Sequence, residues 1–222
     1  MGLLFIEFLI LSWIWGKYVY QQPNLLKQYG LVWTKTNGLN LLKGLAIGFC
    51  FCWALFVLEA IFGWVKFNGA SEFILKIFLE GLLSALGIAL AEELVFRGWI
   101  LTELEQDYAK NKAVLINAFL FALSHFIKPI AEIIKTFITF PALLILGLTL
   151  VLAKWGHRNR LGICIGLHSG LVWVYYILNV GNLLTYTNQV PTWITGIDGN
   201  PIAGIMGLLF LSFLAIWMKK TS

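Results

Sequence analysis

Charge is scarce in this sequence. Of 222 residues, 12% are Asp, Glu, Lys or Arg, against 59% hydrophobic residues and a mean hydropathy of +0.83, a balance that excludes a soluble globular domain. Long polar stretches are missing too. The longest gap between apolar runs is Asn182 to Asn200, which leaves no room for a separate soluble domain, so residues 1–222 read as one integral membrane domain. Alternation over about 10 residues, the mark of barrel strands, is also absent, and backbone polar groups in lipid must then be satisfied within helices. Neither internal repeats nor low-complexity tracts occur. The N-terminal MGLLFIEFLI has no positive n-region and no small-residue cleavage site and reads as a retained anchor. Gly2 has no Ser or Thr at the sixth position, which argues against myristoylation. The three cysteines, Cys50, Cys52 and Cys164, lie inside apolar runs, where packing is the expected role and redox compartment stays open.

What the chain does have is apolar runs of spanning length. A helix crosses a bilayer in about 20 mostly apolar residues. Seven stretches qualify: Leu3 to Tyr20, Leu41 to Val65, Leu82 to Leu101, the shorter Ala113 to Ile127, Ile133 to Trp155, Leu161 to Val180 and Ile202 to Met218. Ser71 to Gly81 is either an interfacial amphipathic lead or the first turns of a long third helix, which leaves an eighth span open. The expected fold class is all-α, a polytopic transmembrane bundle. With seven spans, Lys17, Lys27, Lys35, Lys43, Lys110, Lys112, Lys154, Arg158, Arg160, Lys219 and Lys220 fall on one side. Lys66, Lys76, Lys128 and Lys135 fall on the other. The positive-inside tendency then makes the N-terminus external and the C-terminus cytoplasmic, in a bacterial-type inner membrane. The net charge of +5 is scattered over short loops, so no nucleic-acid partner is expected.

A charged side chain at mid-membrane costs at least about 2.5 kcal/mol on insertion scales, so each one present is a functional candidate. These are Glu7, Glu59, Glu92, Glu93, Arg97, His125 and His168. Glu92 and His168 fall near the middle of their runs, and His125 comes late in the short fourth run. Glu93 and Arg97 are four residues apart and stack on one helix face, where they can pair. Glu92 is rotated about 100° away and is left outside that pair. A structural ion-pair network between helices is the alternative use of this cluster. Asn117, Phe121 and His125 recur every four residues and form a stripe that can seat an imidazole beside Glu92; an interhelical hydrogen bond is the plainer role for that histidine. Gly162, Gly166 and Gly170 form a ridge for close backbone approach, with His168 pointing away from it. Glu7 and Glu59 lie near run ends and are expected at the interface.

A carboxylate, two imidazoles and a buried Arg suit water activation: a desolvated Glu takes a proton from water, and a His donor steadies the oxyanion formed at a carbonyl. Peptide hydrolysis is the natural chemistry. Metal-assisted hydrolysis uses the same residue types but has no compact ligand spacing such as H-E-x-x-H here, so neither metal nor cofactor is expected. No nucleophile turn marks Ser124 or Ser169. A proton or ion pathway is a further use of such residues, disfavoured by the few acids in the other runs.

Three blocks carry a family resemblance. Glu92-Glu93-Leu-Val-Phe-Arg97 is E-E-x-x-x-R, Phe121-Ala-Leu-Ser-His125 is F-x-x-x-H, and His168 opens a third block. In order and spacing they resemble the CPBP family, the CAAX proteases and bacteriocin-processing enzymes also called Abi or type II CAAX prenyl endopeptidases, over about residues 82–180. The resemblance implies an intramembrane endopeptidase of the glutamate type. Glu92 and His125 would activate the attacking water, His168 would contribute to the oxyanion site, and Glu93, Arg97 and Phe121 would support it. Implied partners are membrane lipid and a peptide or membrane-protein substrate, such as a lipidated C-terminal tail or a leader peptide. One position departs. The family's last block is usually H-x-x-x-N or H-x-x-x-D, whereas here Val172 follows His168. The oxyanion site is thus one polar partner short, and the alternative is a catalytically weak or silent membrane scaffold or immunity protein. The segment Asn182 to Pro201 is read as a connector, with a lid or re-entrant loop near the site as the other option.

Overall fold

A computed structural model describes residues 2–22, 24–69 and 72–220, with side chains from Phe5 onward; Ser71, where the amphipathic lead was placed, lies outside the described residues. Each of the seven apolar runs is helical over most of its length. In chain order the elements are α1 (Gly2–Tyr18), α2 (Leu25–Gln28), α3 (Lys35–Ile61), β1 (Val65–Phe67) and α4 (Ile74–Glu93), which continues through a π-helical segment (Leu94–Ile100) into α5 (Leu101–Asp107). Then come α6 (Lys110–Ser124), α7 (Ile130–Thr136), a 3-10 turn (Phe137–Thr139), α8 (Phe140–Gly156) and α9 (Gly162–Val180). Finally β2 (Leu184–Tyr186), α10 (Thr192–Thr195), two 3-10 turns (Ile197–Gly199, Pro201–Ala203) and α11 (Ile205–Lys220) close the chain.

Four continuous helices are long and apolar enough to cross a membrane: Lys35–Ile61, Ile74–Asp107, Ile130–Gly156 and Gly162–Val180. The second of these is one long helix from Ile74, so the described part of the segment before Leu82 supplies its first turns. α1, α6 and α11 have 17, 15 and 16 residues, somewhat less than a full span at 1.5 Å per residue. The expectation of helix alone needs one correction. Val65, Lys66 and Phe67 pair antiparallel with Tyr186, Thr185 and Leu184, clipping the connection after α3 to the one after α9.

α9 is the central helix. In its most apolar window 67% of residues are buried, against 50% or less in the other three long helices. One face lies against α3, and the reason is small residues at helical spacing. A Cβ at Gly162, Gly166 or Gly170 would strike the carbonyls of Asn37, Leu41 or Leu45, and one at Gly44 or Gly48 of α3 would strike those of Ile163 or Leu167. Both backbones therefore approach as closely as the sequence ridge anticipates. Asn37 adds a side-chain cap, its Oδ1 accepting from the Gly162 N–H at 2.9 Å. The opposite face of α9 meets α4, α6 and α8, whose apolar residues Phe121, Ala122, Leu146 and Leu150 form a buried cluster with Ile163, Cys164 and Leu167.

Two assignments from sequence change here. Cys50 is exposed on the outer surface of α3, whereas Cys52 and Cys164 are buried as expected, because Cys50 faces away from the α9 contact. Glu59, near the end of its run, is fully buried rather than lying open at an interface, because the final turns of α3 are covered by the β ribbon and the connection after α9.

Candidate functional site

The E-E-x-x-x-R block sits where α4 turns into the π-helical segment. The Leu101 N–H reaches the Phe96 carbonyl, five residues back. Such a widened turn loosens the helical ladder, and π-segments occur frequently at functional sites. Side chains complete the bonding: Asn117 Nδ2 donates to the Phe96 carbonyl at 2.7 Å, Lys154 Nζ to the Arg97 carbonyl at 2.5 Å, and Thr102 Oγ1 to the Gly98 carbonyl at 2.5 Å. Three neighbouring carbonyls thus accept from three side chains, and the donors on α6 and α8 tie those helices to the segment.

Arg97 is fully buried. Its Nη1 donates to Glu93 Oε1 at 3.1 Å and its Nη2 to the Gly147 carbonyl at 3.3 Å, while its guanidinium stacks over the Phe121 ring at 4.1 Å. The predicted Glu93–Arg97 pair is therefore present. Glu93 does more, because His168 Nδ1 lies 2.9 Å from the same Oε1. A carboxylate accepts and does not donate, so the proton sits on His168 Nδ1 and the ring is held by Glu93. His125 ends α6 as its C-cap residue, with Nδ1 2.8 Å from the Phe121 carbonyl. That carbonyl also only accepts, so Nδ1 again carries the proton, and in the neutral ring Nε2 presents its lone pair. Phe121 is the common wall, its ring centroid 4.8 Å from that of His125 and 6.2 Å from that of His168.

His125 and His168 line one cavity of about 240 Å³ with Phe51, Leu143, Leu146, Leu171, Val172, Tyr175, Asn200 and other mainly apolar residues. The two imidazoles are brought together as expected. Glu92 is not among the residues lining that cavity. It is half-buried, and its Oε2 is buried with no hydrogen-bond partner among the described residues. Val172 lines the cavity in the position four residues after His168. The Asn182 to Pro201 segment, read as a connector, supplies Asn200 and Pro201 to the cavity wall. A larger groove of about 500 Å³ lies between α1, α2 and the turn before α3, walled by Trp13, Lys27 and Trp33, and none of the candidate residues lines it.

Burial makes this arrangement expensive. Each buried ion loses several kcal/mol of hydration, and a buried pair regains that only with good geometry, so the cluster is a weak stabiliser at most. It is also incompletely bonded. Six buried side-chain N or O atoms lack a partner among the described residues, and four of them are here: Glu92 Oε2, Glu93 Oε2, Arg97 Nε and Asn117 Oδ1. The other two belong to Glu59. Unsatisfied polar atoms are rare in interiors and call for an explanation, a catalytic role being one. The serine hydroxyls are spoken for: Ser124 donates to the Phe121 carbonyl at 2.8 Å and Ser169 to the Ile165 carbonyl at 2.6 Å. Among the described residues no three His, Cys, Asp or Glu side chains gather as a metal-binding group.

Sequence reasoning missed Lys154, counted among cytoplasmic charges although it is buried at the end of α8, and Asn200. The signal for Lys154 was its place inside an apolar run. Asn200 carries no local signal, since only the return of the chain after β2 brings it to the cavity.

Residues 74–174 match the family described as Type II CAAX prenyl endopeptidase Rce1-like. No curated protein and no solved structure matches the chain. The family is the one that the three sequence blocks resemble, and the matched stretch contains Glu92, Glu93, Arg97, Phe121, His125, His168 and Val172. With the four long apolar helices, the match supports an integral membrane protein with a CAAX protease-type function on a peptide or protein substrate.

Proposed function

We propose that this CAAX protease-type chain is an intramembrane endopeptidase of the glutamate type. Glu92 and His125 activate water, and His168 stabilises the oxyanion. The observation that carries the reading is the shared cavity, where two imidazoles from α6 and α9 each have Nδ1 engaged by the protein, leaving Nε2 for substrate chemistry. In the reaction, water oxygen bonds to the scissile carbonyl carbon while its proton passes to the His125–Glu92 base. The carbonyl oxygen becomes an oxyanion that accepts from the Nε2–H of His168, whose ring enters the step as the imidazolium and keeps both of its protons throughout. Collapse then breaks the C–N bond, and the stored proton goes to the leaving amine. Glu93, paired with Arg97, holds the His168 ring in place by accepting from Nδ1. An acceptor oxygen of Glu92 that is buried and unpaired suits a base that engages only when substrate and water arrive, since catalytic hydrogen bonds are often unmade in empty sites.

All seven apolar helices act as spans of one membrane domain in this reading, with the N-terminus external, the C-terminus cytoplasmic and the catalytic core at about 82–180. Val172 in the cavity wall favours a second reading, a silent scaffold or immunity protein of the same family. The deciding experiment challenges membrane fractions of wild type, Glu92→Gln and His125→Ala with a panel of prenylated CAAX peptides, leader peptides and membrane-protein segments. Cleavage by wild type alone, with all three proteins folded, is the expected result. Equal cleavage by the three, or none by any, removes the hydrolase reading and leaves the scaffold. Metal analysis of active wild type separates glutamate from metallopeptidase chemistry: full activity without bound metal is expected, and a stoichiometric metal whose removal abolishes cleavage overturns the glutamate assignment.

A further inference from the structure

The connection between β2 and α11 supplies Asn200, Pro201 and Ile202 to the cavity wall, and Asn200 is the polar residue among them. We infer that Asn200 donates the second hydrogen bond to the oxyanion, from a loop, at the site where Val172 supplies none. The inference rests on the hydrolase reading above and extends it to a residue outside the matched stretch.

Three observations lead there. First, the amide is oriented. Asn200 Oδ1 accepts from the Ile202 N–H at 3.3 Å, so Oδ1 faces its own turn and the two Nδ2 hydrogens face away from it. No hydrogen bond from Nδ2 is formed among the described residues. Second, the turn is fixed. The Asn200 N–H donates to the Ile197 carbonyl at 3.0 Å and the Ala203 N–H to the Asn200 carbonyl at 2.9 Å. Gly196, at φ +132, leaves space where a Cβ would strike the Asn200 carbonyl, and Gly207 of α11 does the same for the Pro201 carbonyl. Tyr186 Oη donates to the Gly199 carbonyl at 3.4 Å, and Asp198 pairs with Lys135 at 3.2 Å, anchoring the loop to β2 and α7. A donor held this way loses little freedom when charge develops beside it, which is what an oxyanion site requires. Third, the other polar side chains in the wall are more distant or weaker. Tyr175 lies seven residues beyond His168, about 10 Å along the axis at 1.5 Å per residue, and its phenol oxygen accepts from Asn179 Nδ2 at 3.0 Å, one turn farther on. Cys52 has only a weak S–H donor.

The test uses full-length protein and the first peptide of the panel that wild type cleaves in a Glu92-dependent way. Asn200→Ala is expected to lower kcat about 100- to 1000-fold, as loss of one oxyanion donor does, with KM little changed. Because the substitution also removes the cap of the Pro201–Ala203 turn, a second variant separates chemistry from folding. Val172→Asn places a carboxamide on α9 beside the same cavity, so it should restore most of the lost kcat in the Asn200→Ala background. Wild-type kcat in Asn200→Ala overturns the inference while leaving the hydrolase reading intact. A loss of kcat that Val172→Asn does not restore also overturns it, showing that the turn and not the donor was needed. If wild type cleaves no peptide, the hydrolase reading fails and this one with it.

Discussion

The two faces of α9 solve the membrane problem in opposite ways. Toward α3 the helix offers Gly162, Gly166 and Gly170, meets Gly44 and Gly48, and buries backbone against backbone. Around these glycines no side-chain N or O atom is buried without a partner among the described residues; the two unpaired oxygens on α3 belong to Glu59, three turns beyond Gly48. Toward α4 and α6 the same helix offers His168 to a buried Glu93, Arg97 and Phe121, in a neighbourhood that holds four unpaired buried polar atoms. Packing alone would be better served by the first solution everywhere, since close contact of small residues holds helices together without dehydrating charge. A chain that adopts the second on one face only is spending stability there on chemistry.

The largest expected effect is on the polar face. Arg97→Ala leaves Glu93 buried without its cation and strips Phe121 and the Gly147 carbonyl of a partner. Breaking a buried pair in this way costs about 3–5 kcal/mol. Thermal unfolding in detergent should show a large drop in Tm or no folded protein, and a near-wild-type Tm would mean that Arg97 is not what neutralises Glu93. Next comes the glycine face. Gly166→Ala sets a Cβ against the Leu41 carbonyl, and the helices must separate at a cost of about 1–3 kcal/mol, typical of overpacking. Turnover per folded molecule should change far less than Tm. A selective loss of turnover with unchanged Tm would dissolve the contrast between the faces.

Much of this contrast was legible in the chain before any coordinates. The Gly162, Gly166, Gly170 ridge and the Glu93–Arg97 pair follow from helical spacing alone, which is local information. The π-helical segment was not legible, because it depends on Asn117 and Lys154 arriving from α6 and α8 to bond the Phe96 and Arg97 carbonyls. The double use of Glu93 Oε1 by Arg97 and His168 was hidden for the same reason: rotation about a helix axis says which residues share a face, and not which face a distant helix will meet. Asn200 needed the whole path through the β ribbon and the Gly196 turn to reach the cavity. His125 was expected inside a span and instead caps α6, four residues before Pro129 begins the next turn of chain.

The smallest structural change should produce the clearest functional one. Glu92→Gln keeps the shape of a side chain that holds no hydrogen bond at Oε2 and removes only its ability to take a proton. Turnover and Tm are best measured on one purified preparation of wild type and this variant. If Glu92 is the base, turnover falls by at least about 100-fold, the low end for general-base loss, while Tm stays within error of wild type. Retained turnover at unchanged Tm would contradict it.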